Sequence, residues 1–492
     1  MYLLLSVLLA LPVATAVLCR FVKDPGQRDV VHIAGCCATA IAGLGLAAGI
    51  FSQGPLLAVG GFLSVDSLSA YMVALVVSVA LLAGLYSPAY LRNDVARGEV
   101  KQSRTADYYL WYHLFVWTML LVTVMNNLGL LWAAIEATTV VSAMLVGFYQ
   151  SKPALEAAWK YLMLCSVGII IALFGVLLTY YGVSQLEDGA GSLNWTDLIV
   201  VAPRLDPGFM KLALVFVVIG FGTKAGLAPL HSWLPDAHSQ APSPISAMLS
   251  GVLLSCALYG ILRFVAVATP SVGQSLPREL LMGFGFASVA VSVPFLLIQR
   301  DLKRLLAYSS VEHMGLSALA FGIGGPLGLY AGLLHLMNHA LVKAFLFLLS
   351  GNIVQRYGTR RITGIHGLIT VAPITGTLML TGAFAITGMP PLSIFVSEFG
   401  ILVAGTGQSM WPAVAVVVVM LAMSFIGIIY HALRMAFGSE PKTTAIAERS
   451  LLQRLALALP LAAMVVFGVA VPAPVTAALH QVVAQLLPVG GP

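Results

Sequence analysis

Apolar residues run along this chain in stretches of about twenty, separated by short polar segments. A stretch of about 20 apolar residues is what a helix needs to cross the hydrocarbon core of a bilayer. Fourteen such stretches can be traced, at 2–22, 30–51, 64–90, 108–125, 128–149, 157–181, 210–230, 243–268, 279–298, 304–323, 327–355, 371–406, 411–434 and 452–474. The pattern predicts an all-α polytopic membrane protein with fourteen transmembrane spans. Spans 3, 11 and 12 are too long for one straight crossing and must tilt, protrude or break. The first run, from Tyr2 to Val22, lacks the basic start and small-residue cleavage site of a signal peptide and is read as span 1.

Composition sharpens the picture. Of the 492 residues, 59% are hydrophobic and 9% are charged, and the mean hydropathy is +0.96. A soluble domain carries about a quarter charged residues. This chain cannot cover a water-facing surface of its size, which excludes a soluble enzyme and a disordered chain. The net charge of +6 reflects membrane orientation. Of the 25 lysines and arginines, 19 lie in or beside the odd-numbered loops, among them Arg97, Arg300, Arg360, Lys442 and Arg449. Only Arg204, Lys211 and Arg278 lie in even loops. The positive-inside rule then places odd loops in the cytoplasm and both termini outside.

Two spans are interrupted. Span 7 runs from Lys224 into Ala-Gly-Leu-Ala-Pro229 and on to Pro235, and span 12 contains Gly388-Met-Pro390-Pro391. Proline removes a helical hydrogen bond, and in lipid the freed carbonyl needs another partner, so breaks persist inside protein or beside water. Five spans separate the two breaks. A unit of spans 4–8 repeated as spans 9–13 would therefore be inverted in the membrane, a transporter pattern. The competing reading is two ordinary proline kinks. The repeat divides the chain into 1–107 (spans 1–3), 108–268, 269–437, and 438–492 (span 14 and a tail).

Ionisable groups at membrane depth cost at least about 2.5 kcal/mol each and are functional candidates. Glu136 falls in the middle of span 5 and Lys224 just before the span 7 break. His335, His339 and Lys343 are four residues apart on span 11 and form one stripe. Glu398 follows the span 12 break. Asp66, Arg263 and Glu312 are accessory candidates, equally well explained as packing charges. His231 and His238, beside Pro229 and Pro235, are either loop histidines or a proton entrance. A structural ion pair of Glu136 with Lys224, and a His335 that only bonds a carbonyl, are the plain alternatives.

Such a row of groups can move a proton, because each group's hold on it depends on the charge of its neighbour. The expected order is Glu136, Lys224, then His335, His339 and Lys343, then Glu398. Outward transfer works against about 2.3 kcal/mol per 100 mV. The chain has no P-loop, and its five cysteines show neither CxxC nor iron–sulfur spacing. No cofactor or metal is expected on this chain, so the drive must come from a partner.

Longer motifs carry a resemblance. Gly222-Thr-Lys-Ala-Gly-Leu-Ala-Pro-Leu-His-Ser-Trp-Leu-Pro-Asp-Ala-His-Ser-Gln-Ala-Pro-Ser-Pro, Asp301-Leu-Lys-Arg-Leu-Leu-Ala-Tyr-Ser-Ser, Glu312-His-Met-Gly, and Ser397-Glu398-Phe resemble the antiporter-like proton-pumping subunits. That family includes M- and L-type subunits of respiratory complex I, the Mrp antiporters and the membrane-bound group 4 nickel–iron hydrogenases. Gly351-Asn-Ile and Tyr357-Gly-Thr-Arg-Arg look most like the component F branch of hydrogenase-4. The chain ends about 20 residues past span 14, a span length of its own, so the long lateral helix of the L type is not expected, and Glu398 fits the M-type pattern. The resemblance implies a proton relay through Glu136, Lys224, His339, Lys343 and Glu398. It implies hydrophilic partner subunits holding the nickel–iron (NiFe) and iron–sulfur clusters, other membrane subunits, and a bacterial or archaeal cytoplasmic membrane. One departure stands out: where the family carries a Lys or His in span 8, this chain has Ser250 and Ser255.

Three readings follow. The first is a proton-translocating subunit of a group 4 hydrogenase-type or complex I-related respiratory complex. The second is a stand-alone or Mrp-type cation/proton antiporter, with sodium as a further possible ion. The third is a structural membrane subunit whose charges are relics.

Overall fold

The computed structural model describes residues 1–186, 191–438 and 450–487; Lys442 and Arg449 lie outside them. The elements follow in order. Helices α1 (Tyr2–Phe21) and α2 (Pro25–Gln53) precede a hairpin of β1 (Leu56–Ala58) and β2 (Leu63–Val65). Helices α3 (Ser67–Ala96), α4 (Thr105–Val124), α5 (Leu128–Val146) and α6 (Lys152–Ser184) lead to a short α7 (Trp195–Val201). Then come α8 (Pro207–Ala225), α9 (Trp233–Gln240), α10 (Ser243–Met248) and α11 (Leu254–Val272). The second half has α12 (Ser275–Ile298), α13 (Leu302–Ile323), α14 (Gly325–Tyr357), α15 (Leu368–Val371), α16 (Pro373–Ile386) and α17 (Ser393–Gly407). The chain closes with α18 (Trp411–Ala436), α19 (Leu451–Val469) and α20 (Ala473–Leu486).

Eleven helices are long and apolar enough to cross a membrane, counting Ser243–Val272 as one. The protein is a multi-pass integral membrane protein. Its outer helices show lipid-facing apolar side chains, as at Val167, Ile170 and Phe174 on α6 and Val418, Val419 and Met423 on α18. Its inner helices α3, α13 and α14 and the α10–α11 unit are buried almost throughout. Helices α4 and α13 are 20 and 22 residues long but more polar, with His113 on one and Lys303, Glu312 and His313 on the other. Asp24, Asp66, Asn127, Ser151, Asp206, Asp301 and Ser450 cap helix starts by accepting backbone N–H groups.

Both predicted breaks are present. Helix α8 ends at Gly226 (φ 76°) and α9 resumes at Trp233. The freed backbone groups find partners: Trp233 Nε1 donates to the Thr223 carbonyl at 2.9 Å, and the Ala228 N–H donates to Ser288 Oγ at 2.8 Å. Helix α16 ends at Ile386 and α17 begins at Ser393. Here the Ile386 carbonyl accepts from His313 Nε2 at 3.0 Å. Gly468 of α19 lies flat on the second break, where a Cβ would stand 1.9 Å from the Pro391 carbonyl oxygen. Each break contains one cis peptide, Ala228–Pro229 and Pro390–Pro391.

Of the three long spans, only span 12 breaks. Span 11 is long instead: α14 runs unbroken for 33 residues, about 50 Å at 1.5 Å per residue. Span 3 is likewise continuous across Pro88. The tail after span 14 holds α20, which buries Leu479, Val482 and Val483. Its 14 residues are too few to stand out as an apolar run. Between α10 and α11 a π-helical turn, Leu249–Leu253, carries Ser250, an irregularity common at functional sites.

Candidate functional site

The site assembles where the two broken spans face α13 and α14. Lys224, on the last turn of α8, is fully buried. It forms no direct ion pair with Glu136 among the described residues. Its ammonium donates instead to Thr139 Oγ1 at 2.8 Å and to Tyr161 Oη at 2.5 Å, and lies 4.6 Å from the Tyr161 ring centre. An ammonium only donates, so Tyr161 must pass its own proton to Ser142 Oγ at 2.7 Å, and Ser142 donates to the Thr138 carbonyl at 2.5 Å. Lys224 therefore heads a directed chain of hydroxyls. Glu136 is half-buried at the seam of α5 and α6, accepting from Ser166 Oγ at 2.7 Å, and its Oε2 has no partner.

The stripe on α14 is also fully buried. Lys343 donates to the Leu306 carbonyl at 2.7 Å and to Ser309 Oγ. His335 is joined to His313, which follows Glu312 among the ionisable groups at membrane depth on α13: His313 Nδ1 and His335 Nε2 are 3.0 Å apart. Because a carbonyl only accepts, the proton on His313 sits on Nε2, facing Ile386. With both imidazoles neutral, His335 then donates through Nε2 to His313 Nδ1, and its own Nδ1 lies 3.0 Å from Ser397 Oγ, which also has the Ile394 carbonyl at 2.9 Å to donate to. His313 Nδ1 is also 4.0 Å from Glu398 Oε1. Gly388 (φ 67°) makes room for this carboxyl, since a Cβ there would meet Glu398 Oε2 at 1.9 Å. Glu312 is buried on α13 with Oε1 unbonded.

His238 holds the middle ground. It is fully buried on α9, its ring 6.2 Å from that of Trp233 and 5.7 Å from that of Phe347. Trp233 in turn packs on Tyr161 at 4.7 Å. Neither ring nitrogen of His238 or of His339 has a hydrogen-bond partner, and His313 lies 5.6 Å from His339, centre to centre. Ser250 is tied to Ser310 at 2.7 Å and Ser255 to the Gly251 carbonyl at 3.3 Å. His231 is 9% exposed and faces Tyr308 across 6.4 Å.

Asp66 and Arg263 meet elsewhere. They form a bidentate pair at 2.6 and 2.5 Å, with Arg263 also bonding Ser69 and lying 4.2 Å from the Trp195 ring. Gln485 of α20 donates to Asp66. A second group unnoticed in the sequence lies among α2, α3 and α4. His32 donates to the Gly84 carbonyl at 3.1 Å and meets His113 at 2.9 Å, with Cys36 Sγ 3.9 Å from the His32 ring. These three donors lie within 4.8 Å of one another. His32 and His113 are apart in sequence, so only the fold reveals them.

The sequence profile of the family described as NADH:quinone oxidoreductase/Mrp antiporter, transmembrane, matches residues 125–424. The chain belongs to this family. A hydrogenase-4 component F homologue from Methylacidiphilum infernorum is 39% identical over 396 residues, covering 80% of this chain and 82% of the homologue. Among solved structures, a chain of the membrane-bound sulfane sulfur reductase, an archaeal respiratory membrane complex, superposes with a TM-score of 0.85 at 24% identity, covering 98% of this chain and 97% of that one. A chain of the Mrp complex from Dietzia sp. DQ12-45-1b gives 0.84 at 21% identity, covering 99% and 98%. Both show the antiporter-like subunit fold, and both come from multi-subunit membrane complexes. The family match spans both broken helices, α13 and the α14 stripe.

Proposed function

We propose that this chain is the proton-translocating, antiporter-like membrane subunit of a hydrogenase-4-type or complex I-related respiratory complex. The observation that carries the reading is the file of fully buried titratable groups, Lys224, His238, His339 and Lys343, strung between the breaks of two helices. Proton transfer begins at Glu136, whose half-buried place at the bundle edge suits a neighbouring membrane subunit better than lipid. From Lys224 the proton passes by way of His238 to His339 and Lys343. The unbonded nitrogens of the two imidazoles offer water the partners it needs inside protein. Glu312 serves as the carboxylate facing Lys343, and His313 and His335 lead on to Glu398. His238 takes the bridging place that Ser250 and Ser255 leave vacant in span 8.

The finer architecture belongs to the same proposal. Adding α4, α13 and the broken α16–α17 unit to the eleven long apolar helices gives fourteen crossings. The units of spans 4–8 and 9–13 are then inverted repeats, with a broken helix in each. Odd loops face the cytoplasm of a bacterial or archaeal cell and both termini face out. Nickel–iron and iron–sulfur centres lie in hydrophilic partners, which supply the drive.

The test is proton uptake by vesicles holding the assembled complex. Lys224→Ala and Glu398→Gln should abolish the pH gradient while the complex still assembles and its partners still transfer electrons. Normal pumping in both variants would refute the relay.

A further inference from the structure

Among the described residues, helices α2, α3 and α4 enclose one group of three side chains able to ligate a metal: His32, Cys36 and His113. Their donor atoms lie within 4.8 Å of one another, and all three side chains are buried. His32 and Cys36 are four residues apart on α2 and so share one face of it. His113 comes from α4 and completes the group across the seam between the helices.

The surroundings fix how these donors point. A carbonyl only accepts, so the 3.1 Å bond between His32 Nε2 and the Gly84 carbonyl puts the His32 proton on Nε2. The lone pair of His32 Nδ1 then faces His113 Nε2 at 2.9 Å, with Cys36 Sγ 3.9 Å from the same nitrogen. Metal-ligating imidazoles are held in just this way, the outer N–H donating to a carbonyl or carboxylate. The Tyr109 ring stacks on His32 at 4.2 Å, and the Tyr112 ring meets it edge-on at 5.0 Å. Gly84 also leaves room for the thiol, since a Cβ there would stand 2.5 Å from Cys36 Sγ. Tyr109 lines a cavity of 230 Å³ together with Asp29 and Arg92, and its hydroxyl donates to Asp29 Oδ1 at 2.6 Å.

We propose that His32 Nδ1, Cys36 Sγ and His113 Nε2 bind one monovalent copper ion, which enters by the cavity beside Tyr109. Imidazole and thiolate together suit copper and zinc. Charge and ligand count choose between them. A Cu⁺ ion with the Cys36 thiolate is neutral, whereas Zn²⁺ would leave a net positive charge in the packed interior, which is costly. Structural zinc sites almost always take four ligands, and the group supplies three. Binding is an exchange without oxidation: the Cys36 thiol proton leaves to solvent, and the His113 proton moves from Nε2 to Nδ1. Around an ion about 2.0 Å from each nitrogen, a trigonal arrangement sets the two nitrogens about 3.5 Å apart, so the site closes on copper with a shift of about half an ångström. The site shares no residue with the Lys224–Glu398 file and does not depend on the proton relay.

The test uses the purified complex, or the full-length chain in mild detergent, kept anaerobic and reduced. It is loaded with Cu⁺ or with Zn²⁺ and dialysed against a competing chelator, bathocuproine disulfonate for copper and EDTA for zinc. Bound metal is counted by mass spectrometry of the elements. About one copper per chain should remain, with no zinc, and X-ray absorption should show one sulfur and two nitrogen ligands. Cys36→Ser should weaken retention by about tenfold or more. His113→Phe, which keeps a ring in place, should do the same and decides the matter if Cys36→Ser folds poorly. Cys37→Ala, next along α2 but outside the group, should retain copper like the native chain. Loss of copper to the chelator from the native chain, zinc retained in preference to copper, sulfur ligands without nitrogen, or retention unchanged in folded Cys36→Ser or His113→Phe would each overturn the proposal.

Discussion

The ammonium of Lys224 lies 2.5 Å from the hydroxyl of Tyr161 and 4.6 Å from the centre of its ring, with no carboxylate paired to it among the described residues. A buried lysine held by hydroxyls and an aromatic face keeps a charge that no fixed counter-ion locks in place. A contact ion pair with Glu136 would have held the proton far more firmly. The same economy appears at Lys343, bonded to a carbonyl and a serine.

Tyr161→Phe keeps the ring beneath Lys224 and removes its hydroxyl. A hydrogen bond to a charged group contributes about 1.5–3 kcal/mol, or roughly ten- to a hundredfold in the equilibrium it controls. Proton uptake by vesicles containing the variant complex should slow by about tenfold, with assembly unchanged. Ser142→Ala, one step further along the hydroxyl chain, should slow it less. An unaltered rate in Tyr161→Phe would take the hydroxyl out of the path.

His238 should matter more than either serine of span 8. His238→Phe fills the same space between Trp233 and Phe347 without a titratable group. It should stop proton transfer while leaving the folded complex intact by size-exclusion chromatography. Ser250→Ala, which breaks only the bond to Ser310, should keep more than half of the activity. The reverse ranking would restore the link to span 8.

Much of this was legible in the order of the residues. The apolar runs, the two proline breaks and the i, i+4, i+8 stripe on α14 are local patterns, and local patterns are what a sequence displays. The π-helical turn at Leu249–Leu253, the hairpin before α3 and helix α20 were not visible, being short and set by packing. Nor was the company each charge keeps. The spans hold Asp66, Arg263 and Glu312, yet the fold pairs the first two, far apart in sequence, and leaves the third buried on α13 with Oε1 unbonded. His313 sat beside Glu312 in a quoted motif, and only the break at Ile386 showed what its ring bonds to. For His238 the residue order left two readings open, a loop histidine or a proton entrance, because its prolines hid the half-helix α9 that carries it inward.

Gly388→Ala tests the second break. The residue has φ 67°, and an added methyl would meet the Glu398 carboxyl at 1.9 Å. Alanine is strained in that conformation at a cost of about 1–2 kcal/mol, and the carboxyl would have to turn away from His313. Thermal unfolding should shift down by a few degrees. Proton transfer should fall further than the stability change explains, with Glu398→Gln adding little to the loss. A variant that is destabilised but pumps normally would show that the contact is only steric.

The Asp66–Arg263 pair should respond in the opposite way. Both groups are buried, they bond twice, and α20 is fastened to them through Gln485. Removing one partner of a buried pair strands the other charge and costs about 3–5 kcal/mol. Asp66→Asn and Arg263→Met should each lower the melting temperature of the purified protein, and the double variant should recover part of the loss, because no charge is then left alone. The energy of interaction is read from the double-mutant cycle. Proton uptake per folded complex should stay near the native value, since the pair bonds none of the groups in the Lys224–Glu398 file. If Arg263→Met kept its melting temperature but lost proton transfer as fully as Lys224→Ala, the pair would belong to the conduction path after all.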